Sequence, residues 1–165
     1  MKTLILIRHA KSSWANPDID DLDRPLNKRG KRAASDVGRW LKSEGWVPDE
    51  VLCSTSRRTR ETCERLKLDA APILREDIYE ASPGALLAAV QDAHGKTVMM
   101  IGHNPGIGAL AQYLATKKPR HARFDDYPTG ATTILRFDLG NWADLQPGSG
   151  EVAEFLTPHD LTPTA

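Results

Sequence analysis

The chain has 165 residues, of which 40% are apolar and 27% charged, and these values predict one globular domain with a substantial core. Its 22 basic residues balance its 22 acidic residues, which argues against binding to a polyanion through net charge. No stretch approaches the roughly 20 apolar residues that a membrane-spanning helix needs, and we expect no secretory signal. Two cysteines, Cys53 and Cys63, give no disulfide framework or metal-site spacing, so we expect a reducing cytoplasm.

The apolar run Leu4-Ile5-Leu6-Ile7 predicts a strand that is buried on both faces, and it leads directly into Arg8-His9. Open α/β sheets bind their ligands at the carboxyl ends of their strands. A histidine in that position can act as a nucleophile, and an arginine beside it suits a phosphate. Taken alone, these residues are equally compatible with a strand that ends in polar surface side chains.

Helices and strands alternate along the rest of the chain. The predicted helices lie at about 27–44, 57–67, 82–94 and 104–116, and the predicted strands at 50–53, 97–101, 131–137 and 151–156, with a short extended piece at 72–74. This alternation predicts a three-layer α/β/α sandwich, and the closely spaced last two strands predict a hairpin in a mixed, mostly parallel sheet of five to six strands. We expect a single domain over residues 1–157 and a frayed tail over 158–165.

Local signals predict where the helices begin and end. Asn27 is expected to cap the first helix, and Gly45 to end it. Ser82-Pro83 and Asn104-Pro105 each combine a capping residue with a proline suited to the first turn. Gly30 lies inside the first helix, where glycine costs up to about 1 kcal/mol relative to alanine. A close approach of another part of the backbone is one reason for a helix to tolerate glycine at this position.

Three junctions at the ends of predicted strands carry the residues best suited to chemistry. They hold Arg8-His9, Arg58 and His103. If these strands are parallel neighbours, both histidines and both arginines meet at one edge of the sheet, where helix N-termini add N–H donors. Each residue alone has an ordinary structural explanation, but their joint placement favours a pocket for a phosphoryl group.

These motifs, in this order, resemble the histidine phosphatase superfamily (phosphoglycerate-mutase-like). Arg8-His9-Ala10 is similar to its Arg-His-Gly signature, with alanine in place of glycine, and the segment from Ser54 to Thr62 places its second arginine at Arg58. The remaining matches are Leu26-Asn27-Lys28-Arg29-Gly30, Gly102-His103-Asn104-Pro105 and Pro128-Thr129-Gly130. The opening motif, Ile78-Tyr79-Glu80-Ala81-Ser82-Pro83 and Gly-His-Asn-Pro look most like the small SixA-like phosphohistidine phosphatases.

The resemblance implies a mechanism with a covalent phosphohistidine on His9. Arg8, Arg58 and His103 would hold the phosphoryl oxygens, and Ser12 would add a hydroxyl contact. Glu80 is the candidate general acid, although a surface carboxylate before a helix is its ordinary alternative. The implied substrate is phosphohistidine on a partner protein, with inorganic phosphate as product. The implied reaction needs no metal or other cofactor, and we expect no nucleic-acid or membrane partner.

Other classes fit less well or remain as alternatives. A cysteine phosphatase needs Cys-x5-Arg, but Thr59 and Asp69 stand at the arginine positions, and neither a P-loop nor a metal-ligand spacing of histidines is present. A phosphatase or mutase for a small phosphoester remains open, although the short stretch 66–97 favours an open site and a protein substrate. A phospho-binding module would not need His9. The basic runs at 28–32 and 57–60 are expected to be solvated helix faces rather than nucleic-acid contacts.

Overall fold

The computed structural model describes residues 1–162 and contains one six-stranded sheet. The strands are β1 (Lys2–Arg8), β2 (Glu50–Ser54), β3 (Pro72–Arg75), β4 (Thr97–Gly102), β5 (Thr132–Phe137) and β6 (Glu151–Leu156). They are ordered β3-β2-β4-β1-β5-β6. Strands β3, β2, β4 and β1 are parallel to one another, whereas β5 is antiparallel to both β1 and β6. The predicted mixed, mostly parallel sheet with a final hairpin is therefore confirmed.

Helices cover both faces of the sheet. They are α1 (Lys28–Ser43), α2 (Arg57–Leu66), α3 (Pro83–Gln91), α4 (Gly106–Leu114) and a short α5 (Pro158–Leu161). Side chains of α1 and α2 form one buried cluster with the sheet, and side chains of α3 and α4 form another on the opposite face. The predicted three-layer sandwich is confirmed. Within residues 1–162, no helix combines the length and apolarity needed to cross a membrane.

Strand β1 lies between both apolar layers. Leu4 and Leu6 belong to the cluster with α3 and α4, whereas Ile5 and Ile7 belong to the cluster with α1 and α2. All four side chains are buried. Because successive side chains of a strand point to opposite faces, a strand covered on both sides needs a continuous apolar run.

The start of α1 is seated against the backbone that follows β1. The side chain of Asn27 accepts a hydrogen bond from the Gly30 amide at 2.8 Å, and the Asn27 amide donates to the Lys11 carbonyl at 3.0 Å. A Cβ atom on Gly30 would lie 2.0 Å from that same Lys11 oxygen. The predicted cap is confirmed, the close backbone approach gives the reason for Gly30, and together they hold α1 beside the end of β1.

Three helix boundaries differ from the predictions. Helix α4 begins at Gly106, after a cis peptide bond between Asn104 and Pro105, and ends at Leu114. The Asn104 side chain accepts from the Gly108 amide at 3.2 Å and donates to the Tyr127 carbonyl at 2.9 Å, so it ties the helix to a neighbouring loop. Helix α3 ends at Gln91, before the predicted 94.

The prediction of a frayed tail is wrong for residues 158–161, which form α5. The Asp160 carboxylate accepts from the Thr157 amide at 2.8 Å, so the short helix has its own N-terminal cap. The same carboxylate lies 2.8 Å from Nε2 of His121, which ties α5 to a distant loop. Residues 163–165, the rest of the predicted tail, lie outside the described residues.

Candidate active site

The sheet brings the predicted site residues to one edge. Arg8 at the end of β1 pairs with Gly102 at the end of β4, and β2 lies on the other side of β4. The rings of His9 and His103 are 5.3 Å apart between centroids. Arg58, in the first turn of α2, places Nη2 3.3 Å from Nδ1 of His103. The pocket therefore contains both histidines and both arginines.

His9 is buried and held in one orientation. Its Nδ1 lies 2.7 Å from the Ala10 carbonyl oxygen. Since a carbonyl only accepts hydrogen bonds, Nδ1 carries the proton and Nε2 keeps a free lone pair. Burial lowers the pKa of His9 to about 3, and His103, Arg58 and Arg8 add to this effect, whereas the hydrogen bond to Ala10 opposes it. His9 is therefore neutral near pH 7, as a nucleophile must be.

Arg58 is buried and held by the loop that carries Asp21. It is 5% exposed, and Nη1 donates to the Asp21 carbonyl at 2.6 Å while Nη2 donates to Oδ2 of Asp21 at 2.9 Å. Arg8 donates from Nη1 to the Tyr127 carbonyl at 3.1 Å. Burial and the charge of Arg58 lower the pKa of Arg8. Two guanidinium groups thus share a small volume in which an anion is strongly favoured.

His103 is also buried and neutral. Burial lowers its pKa to about 4, with Arg58 as the next cause. Because Arg58 can only donate, Nδ1 of His103 accepts, and Nε2–H then donates to Oγ of Ser54 at 2.8 Å. Sequence analysis missed Ser54, although a polar residue at the carboxyl end of β2 marks the same sheet edge. Its hydroxyl is able to accept from, or donate to, His103.

A short turn at Asp21–Asp23 adds a carboxylate that sequence analysis also missed. Asp21 contacts Arg58, the hydroxyl of Tyr79, and Nη2 of Arg24 at 3.0 Å. Although burial alone would raise it, hydrogen bonds from Tyr79, Arg24 and Arg58 hold the pKa of Asp21 well below its usual range. The residue lies in a polar loop with no periodic pattern, so only the structure places it beside Arg58.

Arg24 is a third arginine at this site. It is 8% exposed, and its guanidinium carbon lies 3.9 Å from the centroid of the Trp14 ring, which is itself 76% exposed. Within residues 1–162, Nε of Arg8, Nε of Arg58, and both Nε and Nη1 of Arg24 are buried without an acceptor. Buried unpaired donors are costly, at about 1–3 kcal/mol each, and an oxyanion supplies several acceptors at once.

Ser12 and Glu80 are less closely connected to the pocket. Ser12 is buried in an isolated antiparallel bridge with Leu26. Glu80 is exposed and has a left-handed backbone with φ of 51°, directly after Tyr79. Within the described residues, neither side chain hydrogen-bonds to the two histidines or to the arginines. The roles predicted for both residues remain predictions.

The residues that the structure describes contain no cluster of metal-binding side chains. Among residues 1–162, no group of three or more His, Cys, Asp or Glu side chains is arranged to hold one metal ion. The polar groups of the pocket are guanidinium donors, neutral imidazoles, the hydroxyls of Ser54 and Tyr79, and the Asp21 carboxylate. The cationic donors make this set chemically suited to a phosphoryl group.

Comparison with known proteins identifies the class. Residues 4–87 match the family model of the histidine phosphatase superfamily (branch 1). An uncharacterized protein of Mycobacterium tuberculosis is 36% identical over 160 residues, which cover 92% of this chain and 99% of the relative. A 2,3-bisphosphoglycerate-dependent phosphoglycerate mutase of Bifidobacterium longum is 30% identical over 72% of this chain and 55% of the mutase. The chain belongs to the histidine phosphatase superfamily, and this membership supports a phosphatase enzyme.

Within the family, the chain is similar to SixA proteins. A structure from Nakamurella multipartita, provisionally assigned as the phosphohistidine phosphatase SixA, has a TM-score of 0.84 and 31% sequence identity, over 95% of this chain and 96% of that one. The protein histidine phosphatase SixA in complex with tungstate has a TM-score of 0.78 and 20% identity, over 97% of this chain and 99% of that one, and shows the shared fold. The predicted SixA-like resemblance is confirmed.

Proposed function

We propose that this protein removes the phosphoryl group from phosphohistidine on a partner protein, through a covalent phosphohistidine on His9. The observation that carries the proposal is the state of His9, whose Nε2 lone pair is free because Nδ1–H donates to the Ala10 carbonyl at 2.7 Å. A buried, neutral imidazole beside the guanidinium groups of Arg8 and Arg58 combines a nucleophile with charge stabilisation for the phosphoryl oxygens.

In the first step, Nε2 of His9 attacks phosphorus in line with the leaving group. The new P–N bond forms as the bond to the substrate breaks, and the bonding pair leaves with the substrate nitrogen. The imidazole of His9 gains positive charge, which the hydrogen bond from Nδ1 to Ala10 stabilises. Arg8 and Arg58 hold the phosphoryl oxygens, so the pocket acts mainly through position and charge.

His103 supports the transfer by changing its tautomer. Its Nδ1 accepts from Arg58 in this structure, at 3.3 Å. When a phosphoryl oxygen takes the guanidinium donor, Nδ1 has to carry a proton to contact that oxygen. The Ser54 hydroxyl, 2.8 Å from Nε2, permits this change because it can switch from accepting to donating.

In the second step, water attacks the phosphorus of phosphorylated His9. The P–N bond breaks, its electron pair returns to Nε2 of His9, and inorganic phosphate is released. A carboxylate that accepts a proton from this water would accelerate the step. Glu80 is the residue predicted from sequence for acid–base work, and Asp21 is the carboxylate that contacts Arg58 directly. An imidazole leaving group needs less protonation than an alkoxide, so a phosphohistidine substrate depends less on an acid in the first step.

The substrate class is tested by comparing kcat/KM for a chemically phosphorylated histidine-containing protein with kcat/KM for small phosphoesters such as phosphoglycerate. We expect the phosphohistidine protein to be preferred, because the proposed chemistry suits a nitrogen leaving group. A preference for the small phosphoester would contradict the proposal and favour a phosphatase or mutase for small phosphoesters. Phosphate binding without turnover of any substrate would indicate a binding module.

The acid–base role is tested with the matched variants Asp21→Asn and Glu80→Gln. We expect Asp21→Asn to reduce kcat by roughly 10- to 100-fold and Glu80→Gln to have less effect. Because Asp21 also holds Arg58, both variants are assayed on aryl phosphates with good and poor leaving groups. A loss that grows for poor leaving groups identifies an acid, and a uniform loss identifies a positioning role. A larger loss in Glu80→Gln would assign the work to Glu80.

A further inference from the structure

A groove lined by cations runs along α1 towards α5. Two adjoining cavities, of about 650 Å³ and 370 Å³, share Arg29, Ala33, Pro158 and His159 in their walls. We call this feature the basic groove and define it by Lys11, Arg29, Lys31, Arg32, Arg39 and Arg65. Asp36 is the one carboxylate among the described lining residues. In a chain with no net charge, this surface is strongly asymmetric.

Most of these cations have no partner of their own. Arg39 pairs with Asp36, and Arg123 at the rim of the smaller cavity pairs with Asp126. Within residues 1–162, the other cations of the basic groove make no ion pair, and all of these except Lys31 are exposed. Unpaired like charges repel one another and attract a polyanionic partner.

The basic groove begins beside the active site. Lys11 lies two residues after His9, and its carbonyl accepts from the Asn27 amide that starts α1. The smaller cavity also touches Thr129, and the next amide, Gly130, donates to the carbonyls of Arg8 and His9 at 3.1 Å and 3.0 Å. A chain carrying a phosphorylated residue in the pocket would therefore reach the basic groove with its neighbouring residues.

We propose that the basic groove binds an acidic segment of the phosphorylated partner protein; this inference rests on the proposed function. From Arg29 to Arg39, α1 rises about 15 Å, which matches four to five residues of extended chain. The open groove suits a peptide with several carboxylates. No Phe, Tyr or Trp side chain lines it in the described residues, so it lacks the large aromatic stacking surface that single-stranded nucleic acid uses.

Two synthetic peptides test the proposal. Each carries one phosphohistidine, flanked on both sides by glutamates in the first peptide and by glutamines in the second. We expect kcat/KM to be roughly tenfold higher for the glutamate peptide at low salt, and the ratio to fall as ionic strength rises. Equal values for both peptides would overturn the proposal.

The double variant Arg29→Glu/Arg32→Glu is expected to abolish the preference for the glutamate peptide. Arg29 lies in the first turn of α1, where a glutamate interacts favourably with the helix dipole, and both replaced side chains are exposed, so the variant should fold. The matched control, Lys96→Glu/Lys117→Glu, makes the same change in net charge at exposed positions that do not line the basic groove. A preference that survives in the first variant, or disappears in the control, would contradict the assignment.

Binding of the unphosphorylated glutamate peptide, followed by fluorescence anisotropy, separates this proposal from the proposed function. Binding that depends on Arg29 and Arg32, without hydrolysis of either phosphohistidine peptide, would leave the basic groove assigned and refute the phosphohistidine substrate. Hydrolysis of both phosphohistidine peptides at equal rates, without binding that depends on Arg29 and Arg32, would support the phosphohistidine substrate and refute the assignment of the basic groove. Displacement by oligothymidylate at lower concentration than by the peptide would indicate a nucleic-acid surface instead.

Discussion

Replacement of His9 by alanine is expected to lower kcat for hydrolysis of an aryl phosphate at least about a thousandfold, because both ring nitrogens of the second imidazole, His103, are already bonded to Arg58 and Ser54. Arg8, Arg58 and His103 would still bind phosphate in this variant, since His9 does not hold them: Arg8 bonds to Tyr127, and His103 to Ser54. We therefore expect kcat to fall far more than the affinity for inorganic phosphate, measured by calorimetry.

Detection of the covalent phosphohistidine on His9 provides a second test of this prediction. Wild-type protein mixed rapidly with substrate and quenched in base should carry a phosphoryl group on His9, detected by mass spectrometry of the protease digest. The His9→Ala protein should carry none, and its circular dichroism spectrum should match that of the wild type. Full activity in His9→Ala, or a phosphoryl group at another residue of the wild type, would refute the nucleophile assignment.

The sequence predicts the part of the site that lies on regular structure. An apolar run followed by Arg8-His9 is visible because a strand covered on both faces has to be apolar, and its end is marked by the first charged pair. Arg58 and His103 can be located in the same way, because they come after the ends of β2 and β4, which are parallel neighbours in the sheet. Periodicity and strand ends thus locate the pocket, although they do not test the role of each side chain.

Apart from Ser54, which ends β2, the residues that sequence analysis missed lie where no periodic pattern applies. Asp21 and Arg24 come from a polar loop that is held by contacts of Asp21 with Arg58 and of Arg24 with Trp14. Neither contact follows a regular spacing in the sequence. Helix α5 was missed because four residues carry no helical pattern, and it depends on Asp160 bonding to Thr157 and His121. The basic runs at 28–32 and 57–60 are predicted to be solvated helix faces; Arg29 and Arg32 are exposed and line the basic groove, whereas Arg58 is buried in the pocket.

Acidification from pH 7 to pH 5 is expected to lower the free energy of unfolding by about 2 kcal/mol for each of His9 and His103. Burial holds their folded pKa values near 3 and 4, whereas an unfolded histidine titrates near 6.5. Between these values the unfolded chain binds more protons than the folded one. The folded state therefore keeps its full stability above pH 6.5 and loses it as the pH falls towards the folded values.

Urea denaturation at pH 7 and pH 5 measures this effect, and His9→Asn isolates it, because asparagine does not titrate in this range. Whatever the variant loses in absolute stability, its stability should change by about 2 kcal/mol less than that of the wild type between the two pH values. The matched control, His94→Asn, replaces an exposed histidine outside the pocket. Asp21 does not interfere with this comparison. Because its pKa is lowered in the folded protein, the folded and unfolded chains differ in proton binding at Asp21 only near and below the usual aspartate pKa of about 3.9. An identical pH dependence in wild type and His9→Asn would mean that folding does not keep His9 neutral, and the lone pair on Nε2 would then be lost to a proton at mildly acidic pH.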